Sequence, residues 1–326
     1  MNRKSLGFIG DGRGTESVFT PVRHFLTIDY SMGYAALTAI LTVLDYSSYL
    51  ACFKEAGLRS AGGEFPLLRK KAMHSIDINC DLGEGFGVYQ VAPEAEILPL
   101  ISSANIACGF HAGDPQVMRR SVELAVKHRV AIGAHPGTPD LAGFGRRAME
   151  LSRGDLENLL IYQIGALEAI CRVAGTHIGH VKPHGWLYNA AARDARMADT
   201  IAQTLKTMDP SWVLYGLAGS ELIRAAQRAG IQCAQEAFVD RTYQPDGSLT
   251  GRNVAGSLIT DPVLAAQQCL DLVVKGRVKT AIGAEVQVAA DTLCLHGDNP
   301  AVLSILVQVH DRLLQNHWEI RALKAG

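Results

Sequence analysis

From Ile76 onward the chain alternates short apolar runs with longer stretches in which apolar residues return every three or four positions. The short runs have the length of strands and the long ones the period of helices; their regular alternation is the pattern of β/α units on a parallel sheet. Strands are predicted at 76–80, 104–108, 130–134, 179–181, 212–217, 232–237 and 292–295. That is about seven, one short of the eight-stranded parallel barrel. The clearest helix is 155–173, where Leu156, Leu159, Leu160, Ile164, Leu167 and Ile170 share one face and Gly175 ends the pattern. Residues 241–253 break the rhythm: Pro245, Asp246 and Gly247 predict a turn between two short polar strands, a β-hairpin. A minor strand is expected within 278–288, and a closing helix over 300–316.

The first 72 residues follow a different pattern. Their apolar run, 31–44, is too short to span a bilayer at about 1.5 Å per residue and lies too far in for a secretory signal. The glycine-rich GFIGDGRG, 7–14, mimics a nucleotide fingerprint, but no strand precedes it and no Gly-Lys-Ser/Thr follows. Residues 1–72 therefore read as an extension, a translated leader or a disordered segment, ahead of a 73–326 barrel domain that starts at Met73.

Composition narrows the function. A net charge of −1 argues against a nucleic-acid groove or a membrane-binding basic patch, so small-molecule chemistry is expected. The seven cysteines are scattered and form no C-x-x-C, which fits a reducing cytoplasm better than a disulfide framework. Assembly of several copies of the chain is left open.

Polar residues collect just after the strands. They are Asn79, Asp81 and Glu84 in NCDLGEG; His111 and Asp114 in GFHAGD; His135; Lys182 and His184 in HVKPHG; Glu236, Asp240 and Arg241; and His296 and Asp298 in CLHGD. In a closed parallel barrel those strand ends share one face, where distant residues converge. Helix capping is the competing explanation: it suits Asp114, ahead of Pro115, and Ser220, but not the histidines. Arg146, Arg241 and Arg252 are further anion contacts, although each alone reads as a surface residue.

Lys182, at the end of an apolar strand, either holds a ligand anion or pairs with Asp81, Glu236 or Asp240. His180 and His184 have the i, i+4 spacing of a helical zinc pair, but Pro183 makes the segment extended and separates them by about 13 Å. Asp81, His111 and His135 are the candidate metal ligands.

The runs IDINCDLGEGFG, SSANIACGFHAGDPQVM, VAIGAHPGTPDLAGFGRR, HVKPHGWLYN, EAFVDRTYQPDGSLTGR and TLCLHGD, in this order from Ile76 to about Ala322, resemble the LamB/YcsF family. The resemblance implies a seven-stranded TIM-like β/α barrel of the glycoside hydrolase/deacetylase type. It also implies ATP-dependent opening of 5-oxoproline to L-glutamate in a multi-subunit 5-oxoprolinase, with partner subunits B and C and with Mg accompanying ATP. Side-chain chemistry then suggests His111 or Asp81 as base, His184 or His296 as proton donor, and His135 beside them. Lys182 and Arg241 would hold carboxylate or phosphate, with Asn79, Glu84, Glu236 and Asp240 completing the binding set. The alternatives are a metal-dependent deacetylase-like hydrolase and a non-catalytic 5-oxoproline-binding subunit.

Overall fold

The computed structural model of the protein describes residues 74–323. The extension of residues 1–72, with its apolar run and glycine-rich stretch, lies outside the described residues. In chain order the elements are β1 (His74–Leu82), α1 (Glu94–Ile97), β2 (Ser103–Ala107), α2 (Pro115–His128), β3 (Ala131–His135), α3 (Arg153–Val173), β4 (His180–Val181), α4 (Gly185–Ala191), α5 (Ala195–Met208), β5 (Val213–Leu217), α6 (Glu221–Ala229), β6 (Cys233–Phe238), α7 (Pro262–Lys275), β7 (Arg277–Lys279), β8 (Glu285–Gln287), β9 (Thr292–His296), α8 (Val302–Gln315) and β10 (Trp318–Ile320).

Strands β1 to β6 pair in sequence order, β9 joins β6, and β9 pairs back onto β1, all in parallel, so seven strands close a barrel. The expected architecture is present. Helices pack outside on the apolar side chains that alternate out of the strands, such as Ile76, Ile78, Cys80 and Leu82 of β1. Local signals set the helix starts. Asp114 accepts from the Gln116 and Val117 amides ahead of Pro115, and Ser152 forms a capping box with Asp155 at the head of α3.

A barrel interior is normally filled by layers of branched apolar side chains. Here it is polar. Strand residues two apart face the same way, and β1 sends Asp77, Asn79 and Asp81 inward while burying all three. At the floor, Asp77 accepts hydrogen bonds from Ser102, Ser103, Thr292 and Tyr215 at 2.6–2.9 Å. In the layer above, Asn105 donates to the Asn79 side-chain oxygen at 2.7 Å, and the His180 ring bonds Asn105 Oδ1 at 2.8 Å and stacks on Tyr215. Gly133 makes room for that ring, since a Cβ there would fall inside the His180 imidazole. Burial holds the His180 pKa down at about 3, with Lys182 adding to the effect.

Several expectations are refined or corrected. The expected hairpin in 241–253 is present in minimal form: the Pro245–Gly247 turn is flanked by an antiparallel bridge between Tyr243 and Leu249 rather than by full strands, and Arg241 bridges Leu258 beyond it. The minor strand within 278–288 is an antiparallel pair, β7 with β8. The closing helix is present at Val302–Gln315, within the expected 300–316, and His317 lies beyond it with φ 62°. Ser220 occupies the N-cap position of α6, but its hydroxyl makes no capping bond. Strand β10, which the sequence pattern did not indicate, pairs with the start of β1. Among the described residues no helix is long and apolar enough to cross a membrane.

Candidate active site

The loops leaving the carboxyl ends of the strands surround a cavity of about 340 Å³. Of the residues expected there, Asp81, His135, Lys182, His184, Arg241 and His296 line it. Asn79, Glu84, His111, Glu236 and Asp240 are buried behind that wall. The convergence is real, but it is organised in depth.

At the centre lies Lys182. Its ammonium is 2.9 Å from Asp81 Oδ1 and 2.9 Å from Glu236 Oε1, and it also donates to Cys294 Sγ at 3.0 Å and to Asn79 Oδ1 at 3.3 Å. Asp240 is not among its partners. Burial works against the ammonium, yet Asp81, Cys294 and Glu236 together hold its pKa well above the ordinary value. Burial likewise opposes the Asp81 charge, but His135 and Lys182 outweigh it and keep the carboxyl well below the usual range. Asn105 also binds Asp81 Oδ1, leaving Oδ2 as the less engaged oxygen, 3.4 Å from His135 Nε2.

Three histidines and a glutamate form a second layer. The His135 ring bonds the Lys182 carbonyl through Nδ1 at 2.7 Å, and the His184 ring bonds the Phe144 carbonyl through Nε2 at 2.9 Å. His111 stacks flat on His184 with ring centroids 3.7 Å apart. Gly145, at φ +62°, allows this stack, because a Cβ there would stand 2.6 Å from His111 Cβ and 3.0 Å from the His184 ring. Burial, then the neighbouring imidazoles, push the His111 and His184 pKa values well below normal. Burial, then Asp81, raise that of Glu84. The metal candidates are thus regrouped: His111 and His135 stand with Glu84 and His184, whereas Asp81 clusters with Cys294 and His296. The second cluster already holds the Lys182 ammonium against two of its members, which disfavours a cation there.

On the far wall Asp240 accepts from His296 Nδ1 at 2.9 Å and from the His296 amide at 3.1 Å, so the other ring nitrogen is presented to the cavity. Arg241 is not a surface residue. It is 5% exposed, donates to the carbonyls of Ser257 and Thr250, and has no carboxylate partner among the described residues. Burial, with Arg252 nearby, lowers its pKa to about 10. Arg146 and Arg252 also line the cavity and converge on Asp298 Oδ2 at 2.6 and 3.1 Å. Sequence reasoning passed over Asn105, Tyr188 and Cys294. Only the inward alternation of β2 and β9 signalled the first and last, and Tyr188, which donates to Glu236 at 2.6 Å, sits on a helix whose register the sequence left open.

Comparison with known proteins places this arrangement. The profile described as the LamB/YcsF family matches residues 76–326. The 5-oxoprolinase A-subunit of Tolumonas auensis is 52% identical over 251 residues, covering 77% of this chain and 100% of the relative. That of Bacillus subtilis is 48% identical over 251 residues, covering 77% of this chain and 98% of the relative. The crystal structure of the lactam utilization protein from Thermus thermophilus is 44% identical and superposes with a TM-score of 0.72, over 76% of this chain and all of that one. With three quarters of its length matched in sequence and in fold, the chain belongs to the LamB/YcsF family.

Proposed function

We propose that this protein is the lactam-acting subunit of an ATP-dependent 5-oxoprolinase, hydrolysing 5-oxoproline to L-glutamate with partner subunits B and C. The names of its relatives supply the substrate class, and one observation in the site carries the reading. Arg241, a buried guanidinium without a carboxylate partner among the described residues, shares a small cavity with an ionised aspartate and an oriented histidine. A compact substrate with one carboxylate and one cyclic amide answers both ends of that cavity.

Amide resonance makes the lactam carbonyl a poor electrophile. Asp81 stays ionised, and for the same reason it is a weak base, so it can direct water only onto an activated carbon. Transfer of the ATP γ-phosphoryl group to the amide oxygen provides that activation and releases ADP. Water then adds at the carbon while Asp81 Oδ2 takes its proton. The ring C–N bond breaks as His296, held by Asp240, delivers a proton to nitrogen. Hydrolysis of the resulting acyl phosphate leaves the side-chain carboxylate of glutamate and free phosphate. Arg241 binds the substrate carboxylate; Lys182, neutralised by Asp81 and Glu236, positions Asp81 instead of binding substrate. Mg accompanies the nucleotide. A cytoplasmic setting belongs to the same reading, supported by six described cysteines that are all free thiols.

The test is glutamate release from 5-oxoproline by the purified chain, with and without subunits B and C and ATP. Turnover is expected only in the full mixture. Absence of glutamate in the full mixture, or release that ignores ATP, would overturn the reading.

A further inference from the structure

We propose that Glu84, His111, His135 and His184 form a binding site for one divalent transition-metal ion at the top of the barrel, beside the cavity. A carbonyl oxygen only accepts hydrogen bonds. His135 must therefore carry its proton on Nδ1, facing the Lys182 carbonyl, and His184 must carry its proton on Nε2, facing Phe144. Each ring is left with one bare nitrogen. Those two nitrogens, His135 Nε2 and His184 Nδ1, point at each other across 2.9 Å. Two lone pairs so placed repel unless a cation, a proton or a metal ion, lies between them.

The same spot collects two more unsatisfied groups. Glu84 Oε1 and both ring nitrogens of His111 are buried without a hydrogen-bond partner, and a buried orphan of this kind costs about 1–3 kcal/mol. Glu84 Oε1 lies 3.5 Å from His111 Nε2 and 3.6 Å from His184 Nδ1. A proton shared by His135 and His184 would leave Glu84 Oε1 and His111 unanswered; one metal ion engages all four residues, leaving only His111 Nδ1 without a partner. The four ligand atoms lie within 4.8 Å of one another. Ligands about 2.0–2.1 Å from a tetrahedral ion stand roughly 3.4 Å apart, which the 2.9, 3.5 and 3.6 Å separations bracket. Three imidazoles and one carboxylate suit Zn²⁺ or Co²⁺ far better than Mg²⁺ or Ca²⁺. The backbone carbonyls behind His135 and His184 are the outer partners that orient ligating histidines. When bound, such an ion supplies a Lewis acid at the edge of the cavity. The site is inferred from ligand geometry alone, so it stands whichever substrate the cavity takes.

The full chain, stripped with a chelator and dialysed, is titrated with Co²⁺ and separately with Zn²⁺. The unmodified protein should take up one equivalent of either ion and show the visible absorption of four-coordinate Co²⁺. His184→Ala and Glu84→Gln should weaken uptake by at least about 100-fold, beyond the 10–100-fold typical of losing an outer partner. His177→Ala, on an exposed residue, should bind as the parent does. The parent titration needs no variant to fold. Failure of the unmodified chain to bind either ion, octahedral Co²⁺ spectra, or equal binding by His184→Ala would each overturn the site while leaving lactam hydrolysis untouched.

Discussion

Replacing Lys182 by Met tests the buried charge cluster most directly. The ammonium is shared between Asp81 and Glu236, both at 2.9 Å and both buried. Methionine keeps the length of the stem and removes the charge, leaving two carboxylates within one barrel layer and no cation between them. Removing one partner of a buried pair costs about 3–5 kcal/mol, against a total stability of about 5–15 kcal/mol for a typical protein. With a urea dependence of up to about 3 kcal/mol per molar, the midpoint should fall by at least roughly 1 M. Urea melts followed by far-UV circular dichroism at pH 7 provide the measurement. The orphaned carboxylates would be protonated more readily in the folded variant than in its unfolded chain. Their penalty therefore shrinks as pH falls, and the gap between parent and variant should narrow from pH 8 to pH 5. Adding Glu236→Gln to the variant should restore part of the loss. A loss below about 1 kcal/mol, constant with pH, would refute the reasoning, because it would mean that cavity water already screens the lysine.

Other perturbations follow from the same packing. His180 is buried neutral, with its pKa lowered to about 3. Its contribution to stability is complete above the unfolded value near 6.5 and is lost as pH falls toward 3, at about 1.4 kcal/mol per pH unit; His180→Asn should flatten urea-melt stability over that window. Gly133→Ala drives a methyl group into the His180 ring and should cost about 1–3 kcal/mol; in a double-mutant cycle with His180→Ala the two losses should be far from additive. Arg241→Lys keeps a charge but not the two-pronged donor, so the 5-oxoproline KM should rise about 10-fold or more with kcat little changed, as steady-state glutamate release in the complete system would record. Asp240→Asn frees the His296 ring and should lower kcat about 10²-fold with KM nearly unchanged.

The barrel was legible because each strand bears its own signature. IDINCDL alternates apolar with polar residues where a parallel strand, covered on both faces, would ordinarily be apolar throughout. The same alternation puts Asp77, Asn79 and Asp81 on the inward side of β1, a polar interior that goes unread when Asn79 and Asp81 are placed after the strand. Histidines after glycine- or proline-containing turns do come together at the carboxyl ends of the strands, with His135, His184 and His296 lining the cavity. Their grouping was not legible, because it depends on how the loops fold over the rim. His111 lies flat against His184 only because Gly145 gives way, and Glu84 is brought back to them by the loop after β1. The depth of Arg241 was hidden as well, since its burial comes from carbonyls of Thr250 and Ser257, in an irregular excursion that obeys no period. Strand β10 is three residues long and gains its identity only from β1 beside it.

Asp298 has a consequence for traffic. Its one carboxylate oxygen ties Arg146, from the loop after β3, to Arg252, from the excursion after β6, while Asp298 itself follows β9. Three loops around the cavity are thus fastened by a single anionic clasp that is partly open to solvent. An arriving carboxylate offers both guanidinium groups the partner they already have, so admission becomes an exchange of one anion for another. Salt weakens both bonds alike. Raising ionic strength should therefore loosen the clasp and speed the opening of the mouth, while lowering the yield of each encounter.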